Sequence, residues 1–112
     1  MIKKVYHITF PVPDIKKTVN FYENVLGLKK KGEWSNYVEF DVGGVTLAFE
    51  LNGRFQMFLL VDNVDEAYKT FKQKGVEFIT EPKDQFWGGR TAEFADPGEN
   101  KFIIESFKKQ TR

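Results

Sequence analysis

Over residues 6–11 the side chains alternate. Tyr6, Ile8 and Phe10 fall on one face, and His7, Thr9 and Pro11 on the other. That period of two predicts a strand. The period then changes. Ile15, Val19, Phe21, Tyr22, Val25 and Leu26 recur at helical spacing. Asp14 stands just before them, where a short acceptor side chain caps a helix. Gly27 follows, suited to the left-handed residue that ends one, and the chain is strand-like again from Leu28.

The same order recurs in the second half. His7–Ile15 matches Gln56–Val64 at a constant offset of 49. Val64, Ala67, Tyr68 and Phe71 continue at helical spacing after Asn63, and Gly75 then Val76 close the element. Further on, Tyr37–Asp41 matches Thr91–Ala95. Thr46–Glu50 matches Lys101–Glu105 at an offset of 55. Turn residues separate these strands, Gly43-Gly44 in one half and Asp96-Pro97-Gly98-Glu99-Asn100 in the other. Each half therefore reads as strand, helix, three strands. Module one covers about residues 1–53 and module two about 54–112, with Asn52-Gly53-Arg54 as a short joint. A βαβββ module of about 50 residues has too little interior to close a core alone. Two together predict an α+β fold: a partly open, eight-stranded, barrel-like sheet, helices outside and a concave groove within. Such a groove is the default place for a ligand.

Composition narrows the chemistry. The 112 residues suit one domain. There is no Cys and a single His, His7. Disulfide scaffolds, thiol nucleophiles and zinc sites with two His from one chain are excluded. Seventeen basic against sixteen acidic residues leave a net charge of +1, so no single-sign field points to nucleic acid or an anionic membrane. No apolar run approaches bilayer length. Met1-Ile2-Lys3-Lys4 leads straight into the first strand pattern, which reads as a cytoplasmic protein without a leader.

Aromatic residues are abundant: 12 Phe, 4 Tyr and 2 Trp. Core filling accounts for Phe21, Phe40, Phe71, Phe78 and Phe94. Trp34, Tyr37, Phe55, Phe86 and Trp87 lie instead among turn formers or at strand margins. There they read either as a rim that stacks on planar or cationic ligands, or as a lid or dimer contact. Arg90, after Gly88-Gly89, offers a planar fork to an anionic group. Lys29-Lys30-Lys31 and Lys108-Lys109 read as solvated ends.

His7–Leu28 (HITFPVPDIKKTVNFYENVLGL) closely resembles the first module of the vicinal oxygen chelate superfamily. That superfamily includes glyoxalase I, extradiol dioxygenases, fosfomycin-resistance enzymes and bleomycin-resistance proteins. Val12-x-Asp14, Asn20-Phe21-Tyr22 and Val25–Leu28 carry the likeness. Val61–Ala67, Lys74-Gly75-Val76 and the Asp96–Asn100 turn carry it in the second half. The resemblance implies the paired-module fold over essentially the whole chain, a homodimer, and a site inside the groove. In metal-dependent members it implies a His on the first strand of each half and a Glu on the last. Here His7 matches one of those positions and Gln56 another. Ala48 and Ile103 stand where the carboxylates belong. Glu50 and Glu105 lie two residues further along the same strand faces, about 6–7 Å away.

The expected groove is thus lined by His7, Gln56, Trp34, Tyr37, Ala48, Phe55, Phe86, Trp87, Arg90 and Ile103. His7 reads as a groove residue or as a hydrogen-bonded structural His. Glu50 and Glu105 read as solvated strand ends, or, if buried, as carboxyls with raised pKa. Loss of both family carboxylates favours a binder that sequesters a small aromatic or cationic molecule without a cofactor. The alternative is a lyase, isomerase or dioxygenase with one divalent ion (Zn, Ni, Mn or Fe) on His7, Glu50, Gln56 and Glu105.

Overall fold

The structure is a computed structural model and describes residues 1–107; Lys108-Lys109 lie outside the described residues. In chain order the elements begin with strand β1 (Ile2–Val12) and helix α1 (Ile15–Val19), which runs on as a π-helical segment over Asn20–Val25. Strands β2 (Lys29–Trp34), β3 (Tyr37–Val42), β4 (Val45–Leu51) and β5 (Gln56–Val61) follow. Then come helix α2 (Val64–Gln73) and strands β6 (Glu77–Phe78), β7 (Lys83–Asp84), β8 (Gly89–Ala95) and β9 (Lys101–Phe107). The fold is α+β.

The chain divides into two compact units. The N-terminal unit is Tyr6–Met57; the C-terminal unit is Met1–Val5 with the residues from Phe58 onward. In the N-terminal unit the strand order is β2-β3-β4-β1, with β1 and β4 parallel and the rest antiparallel. In the C-terminal unit it is β5-β9-β8-β6, with β7 also on β8; β5 and β9 are parallel. The two halves share one topology, as the repeat predicts.

Local chemistry explains the helix starts and stops. Asp14 and Asn63 both sit in extended backbone, and each side chain accepts from the N–H three residues on, at 2.9 Å from Lys17 and 3.1 Å from Glu66. Gly27 and Gly75 take φ of +77° and +95°, which a Cβ would strain. Between Asp14 and Gly27 the helix widens. Leu26 N–H reaches the carbonyl of Phe21, five residues back, at 2.9 Å. Phe21, expected in the core, is instead 46% exposed and meets Tyr22 edge-on at 5.0 Å.

One helix packs on each sheet. In the N-terminal unit Ile15, Val38, Phe40 and Phe49 are buried together, with Tyr22 stacked on Phe49 at 4.3 Å. In the C-terminal unit Leu59, Val61, Val64, Ala67, Ala92 and Ile104 form the equivalent core, beside the stacked rings of Phe94 and Phe102. The buried Ser106 hydroxyl adds a contact to α2, accepting from Val64 N–H at 3.0 Å.

Nine strands are present among the described residues where the repeat predicts eight. The strand after α2 is broken in two. Ile79 and Thr80 both donate their N–H to the Glu93 carbonyl, at 2.7 and 3.2 Å. Two residues on one acceptor bulge the strand away. Pro82 follows in the gap and has no N–H for a ladder.

The caps supply the fold prediction. Asp14→Ala and Asn63→Ala should each cost about 1 kcal/mol. Urea unfolding should show a lower midpoint and an unchanged slope for each variant.

Candidate functional site

Strand alternation gives the N-terminal sheet a second face, away from its helix. On β3, Val38 and Phe40 point to the core, so Tyr37, Glu39 and Asp41 point the other way. The register places Tyr37 beside Glu50, Glu39 beside Ala48, and Asp41 beside Thr46. Across β4, Ala48 faces Thr9 and Thr46 faces His7. A polar group thus surrounds the fully buried Ala48.

Its hydrogen bonds form a chain. Tyr37 Oη donates to Glu39 Oε2 at 2.8 Å. The same Oη lies 3.4 Å from His7 Nε2, which is also 3.1 Å from Thr9 Oγ1. Lys31, in the β2 bulge, donates from Nζ to Thr46 Oγ1 at 2.7 Å. Burial lowers the His7 pKa; the nearby Glu39 opposes this and Lys31 adds to it. The ring is therefore neutral near pH 7. Burial, then the hydrogen bond to Glu39, raises the Tyr37 hydroxyl far above its usual range and keeps it protonated. Trp34 tilts beside Tyr37, centroids 5.7 Å apart, and lies over Gly32 so closely that a Cβ there would enter the indole.

Not every expected residue joins this group. Phe55 packs edge-on against Phe10 at 5.3 Å, on the side of β1 opposite His7. Gln56 is the first residue of β5 and half-buried.

The C-terminal unit holds the remaining expected residues. Thr91 pairs with Glu105 and Glu93 with Ile103, all on the face away from α2. Glu105 is only 2% exposed. Of the two readings offered for this strand position, solvated end or buried carboxyl, the structure has the buried acid, on a strand that lies between β5 and β8. Burial pushes its carboxyl up to about 7. Trp87 Nε1 donates to Glu105 Oε2 at 2.6 Å. Gly89 makes this approach available, since a Cβ there would fall on the carboxylate oxygen and the indole nitrogen. Gln85 Nε2 donates to Thr91 Oγ1 at 2.8 Å and holds the start of the same loop. Phe86, at its tip, is 96% exposed and Trp87 47%.

Arg90 points to the opposite face. Its fork binds Asp65 at 2.8 and 3.0 Å and Asp84 at 3.1 Å. The guanidinium holds the Asp65 carboxyl below its usual range. The group offered to an anionic ligand is therefore engaged in tying β7 and β8 to α2.

Glu39, Thr9 and Thr91 were not singled out from sequence. Alternation places each on a face with a residue that was: Glu39 with Tyr37, Thr9 with His7, Thr91 with Glu105. The Arg90–Asp65 pair spans 25 positions and has no local signal.

The family model for the glyoxalase/bleomycin resistance protein/dioxygenase superfamily matches residues 4–54 and 49–104. The chain belongs to this superfamily. An uncharacterized protein of Bacillus subtilis, YraH, is 30% identical over 94% of this chain and 98% of its own. The metallothiol transferase FosB of Lysinibacillus sphaericus is 24% identical over 99% of this chain and 87% of its own. The Mn(II)-bound glyoxalase of Novosphingobium aromaticivorans shares the fold at a TM-score of 0.72 and 18% identity, over 99% of this chain and 43% of that one.

Divalent metals thus occur in the superfamily, and the donor set here can be tested against that use. Ala48 and Ile103, which the resemblance places where metal-dependent members carry carboxylates, have no donor side chain and are buried. One Glu105 oxygen already accepts from an indole. Within either unit, among the described residues, no three His, Cys, Asp or Glu side chains converge. These residues do not make up the superfamily's four-ligand set.

The Glu105 shift fixes a pH dependence. Between about 4.5 and about 7 the native carboxyl keeps a proton that the unfolded chain has lost. The stability contributed by this carboxyl therefore falls as pH rises through that window and levels off above it. The loss is on the order of 2 kcal/mol. Urea unfolding across the window should show Glu105→Gln losing less stability than wild type; parallel curves would contradict the shift.

Proposed function

We propose that this protein binds a small aromatic or cationic molecule and holds it without a metal ion. The observation that carries the reading is the Trp87–Glu105 pair. A buried acid is bonded at one oxygen by an indole whose ring, with that of Phe86, faces solvent. Aromatic faces attract planar and cationic groups through dispersion and the ring quadrupole. The acid beneath them supplies negative charge for a cation once it ionises, above about pH 7 in the empty protein. The exposed Trp34 beside Tyr37 adds a second aromatic surface in the N-terminal unit. The action is capture: no bond is made or broken, and each chain holds one molecule.

The test is calorimetric titration of chelator-treated protein with N-methylquinolinium, a planar fixed cation, and with naphthalene sulfonate, a planar anion. Saturable binding of one quinolinium per chain is expected, weakened about tenfold or more by Trp87→Ala. Failure of both compounds to bind or shift the melting temperature overturns the reading. So does binding that appears only after a divalent ion is added. That result would favour the metal-dependent alternative on His7, Gln56, Glu50 and Glu105, in line with the FosB likeness.

A further inference from the structure

Asn52-Gly53 is the chain's only asparagine–glycine pair. The other asparagines precede Phe21, Val25, Tyr37, Val64 and Lys101. An asparagine loses its side-chain amide when the next residue's backbone nitrogen attacks Cγ, and a following side chain hinders that approach. Glycine has none to hinder it. The fold also leaves the pair open to water: Asn52 is exposed, just past the end of β4. Gly53 N–H donates to the Glu50 carbonyl, which makes Glu50–Gly53 a β-turn. Asn52 fills its third position at φ +53°, a left-handed conformation that asparagine tolerates. The Gly53 bond is 3.2 Å long, at the weak end of the range, so the attacking nitrogen is lightly held. Asn52 N–H is held better, by the Val12 carbonyl at 2.9 Å, and this ties the turn to the end of β1.

We infer that Asn52 deamidates spontaneously in the folded protein and that the product loosens the β1–β4 end of the N-terminal unit. Gly53 N gives up its proton and bonds to Asn52 Cγ. The Cγ–Nδ2 bond breaks and ammonia leaves, closing a five-membered succinimide. Water then opens the ring. Cleavage at Cγ leaves aspartate; cleavage at the main-chain carbonyl leaves isoaspartate, with the chain rerouted through the side chain. One water enters, one ammonia leaves, and nothing is oxidised or reduced. Either product places a carboxylate at position 52. The Glu50 side chain is already folded against Gly53, where a Cβ would meet its carboxylate, so two like charges then share one turn. Isoaspartate also adds a main-chain atom to that turn, which pulls the Gly53 and Asn52 bonds out of register. Neither effect involves Trp87 or Glu105, so both are independent of ligand capture there.

The test ages the folded full chain in mildly alkaline buffer beside a sample held in urea, and sequences peptides of both by mass spectrometry. A gain of one mass unit at Asn52, ahead of every other asparagine, is expected in the folded sample, more slowly than in urea. Ion exchange should separate the converted chains by their added negative charge, and an isoaspartyl methyltransferase should methylate the isoaspartate form. Converted chains should unfold at a lower urea midpoint than unconverted ones. Asn52→Gly suits the left-handed position and has no amide to lose, so its midpoint should not change on ageing. Asn52→Asp should lower the midpoint, and by less in a Glu50→Gln background. The proposal is overturned if Asn52 converts in urea yet stays intact in the folded chain, or if another asparagine reacts first. It is also overturned if converted and unconverted chains unfold at the same midpoint.

Discussion

Each unit has one sheet and one helix, and a helix can cover only one sheet face. Everything else about the two faces follows from that arithmetic. Val38, Phe40 and Phe49 fill the covered face of the N-terminal unit, and Leu59, Ala92 and Ile104 that of the C-terminal unit. Because side chains alternate, the residues between them are forced to the other face whatever their polarity. His7, Tyr37 and Glu39 gather on one such face, and Thr91 and Glu105 on another. The polar networks need no special loop to assemble them. They are what remains after the core has taken every second residue.

Equivalent positions in the repeat have nonetheless drifted into different chemistry. Glu50 and Glu105 occupy the same place on β4 and β9. Glu50 is half-buried, curled so closely against Gly53 that a Cβ there would overlap its carboxylate. Glu105 is enclosed and bonded to an indole. The difference comes from the neighbouring strand. Tyr37, a polar-tipped ring, lies beside Glu50, whereas Thr91, small and short, leaves room over Glu105 for the Trp87 side chain.

The elements that local chemistry controls were legible in the sequence. The Asp14 and Asn63 caps, the stops at Gly27 and Gly75, and the three matched pairs of strands all follow from residues close together in the chain. What escaped was set by partners far away. The burial of Glu105 depends on β9 lying inside its sheet. The commitment of Arg90 depends on Asp65, on a helix with no sequence mark of the pairing. The π-helical widening that exposes Phe21 leaves the apolar spacing unchanged, so spacing could not show it. Alternation put His7, Thr9, Ala48, Ile103 and Glu105 on the faces away from the helices, but it did not show that Arg90 turns to Asp65 or Phe55 to Phe10, nor that Tyr37 meets His7.

The broken strand after α2 has a consequence for how the protein keeps to itself. The outer margin of the C-terminal sheet, beyond β8, is made by two strands of two residues each, separated by a bulge and Pro82. A continuous margin would offer a row of unpaired amides and carbonyls on which a neighbouring chain could grow. Here such a chain would find two rungs, then a gap without a donor. The interruption that spoils the symmetry of the repeat also denies a template for runaway sheet growth.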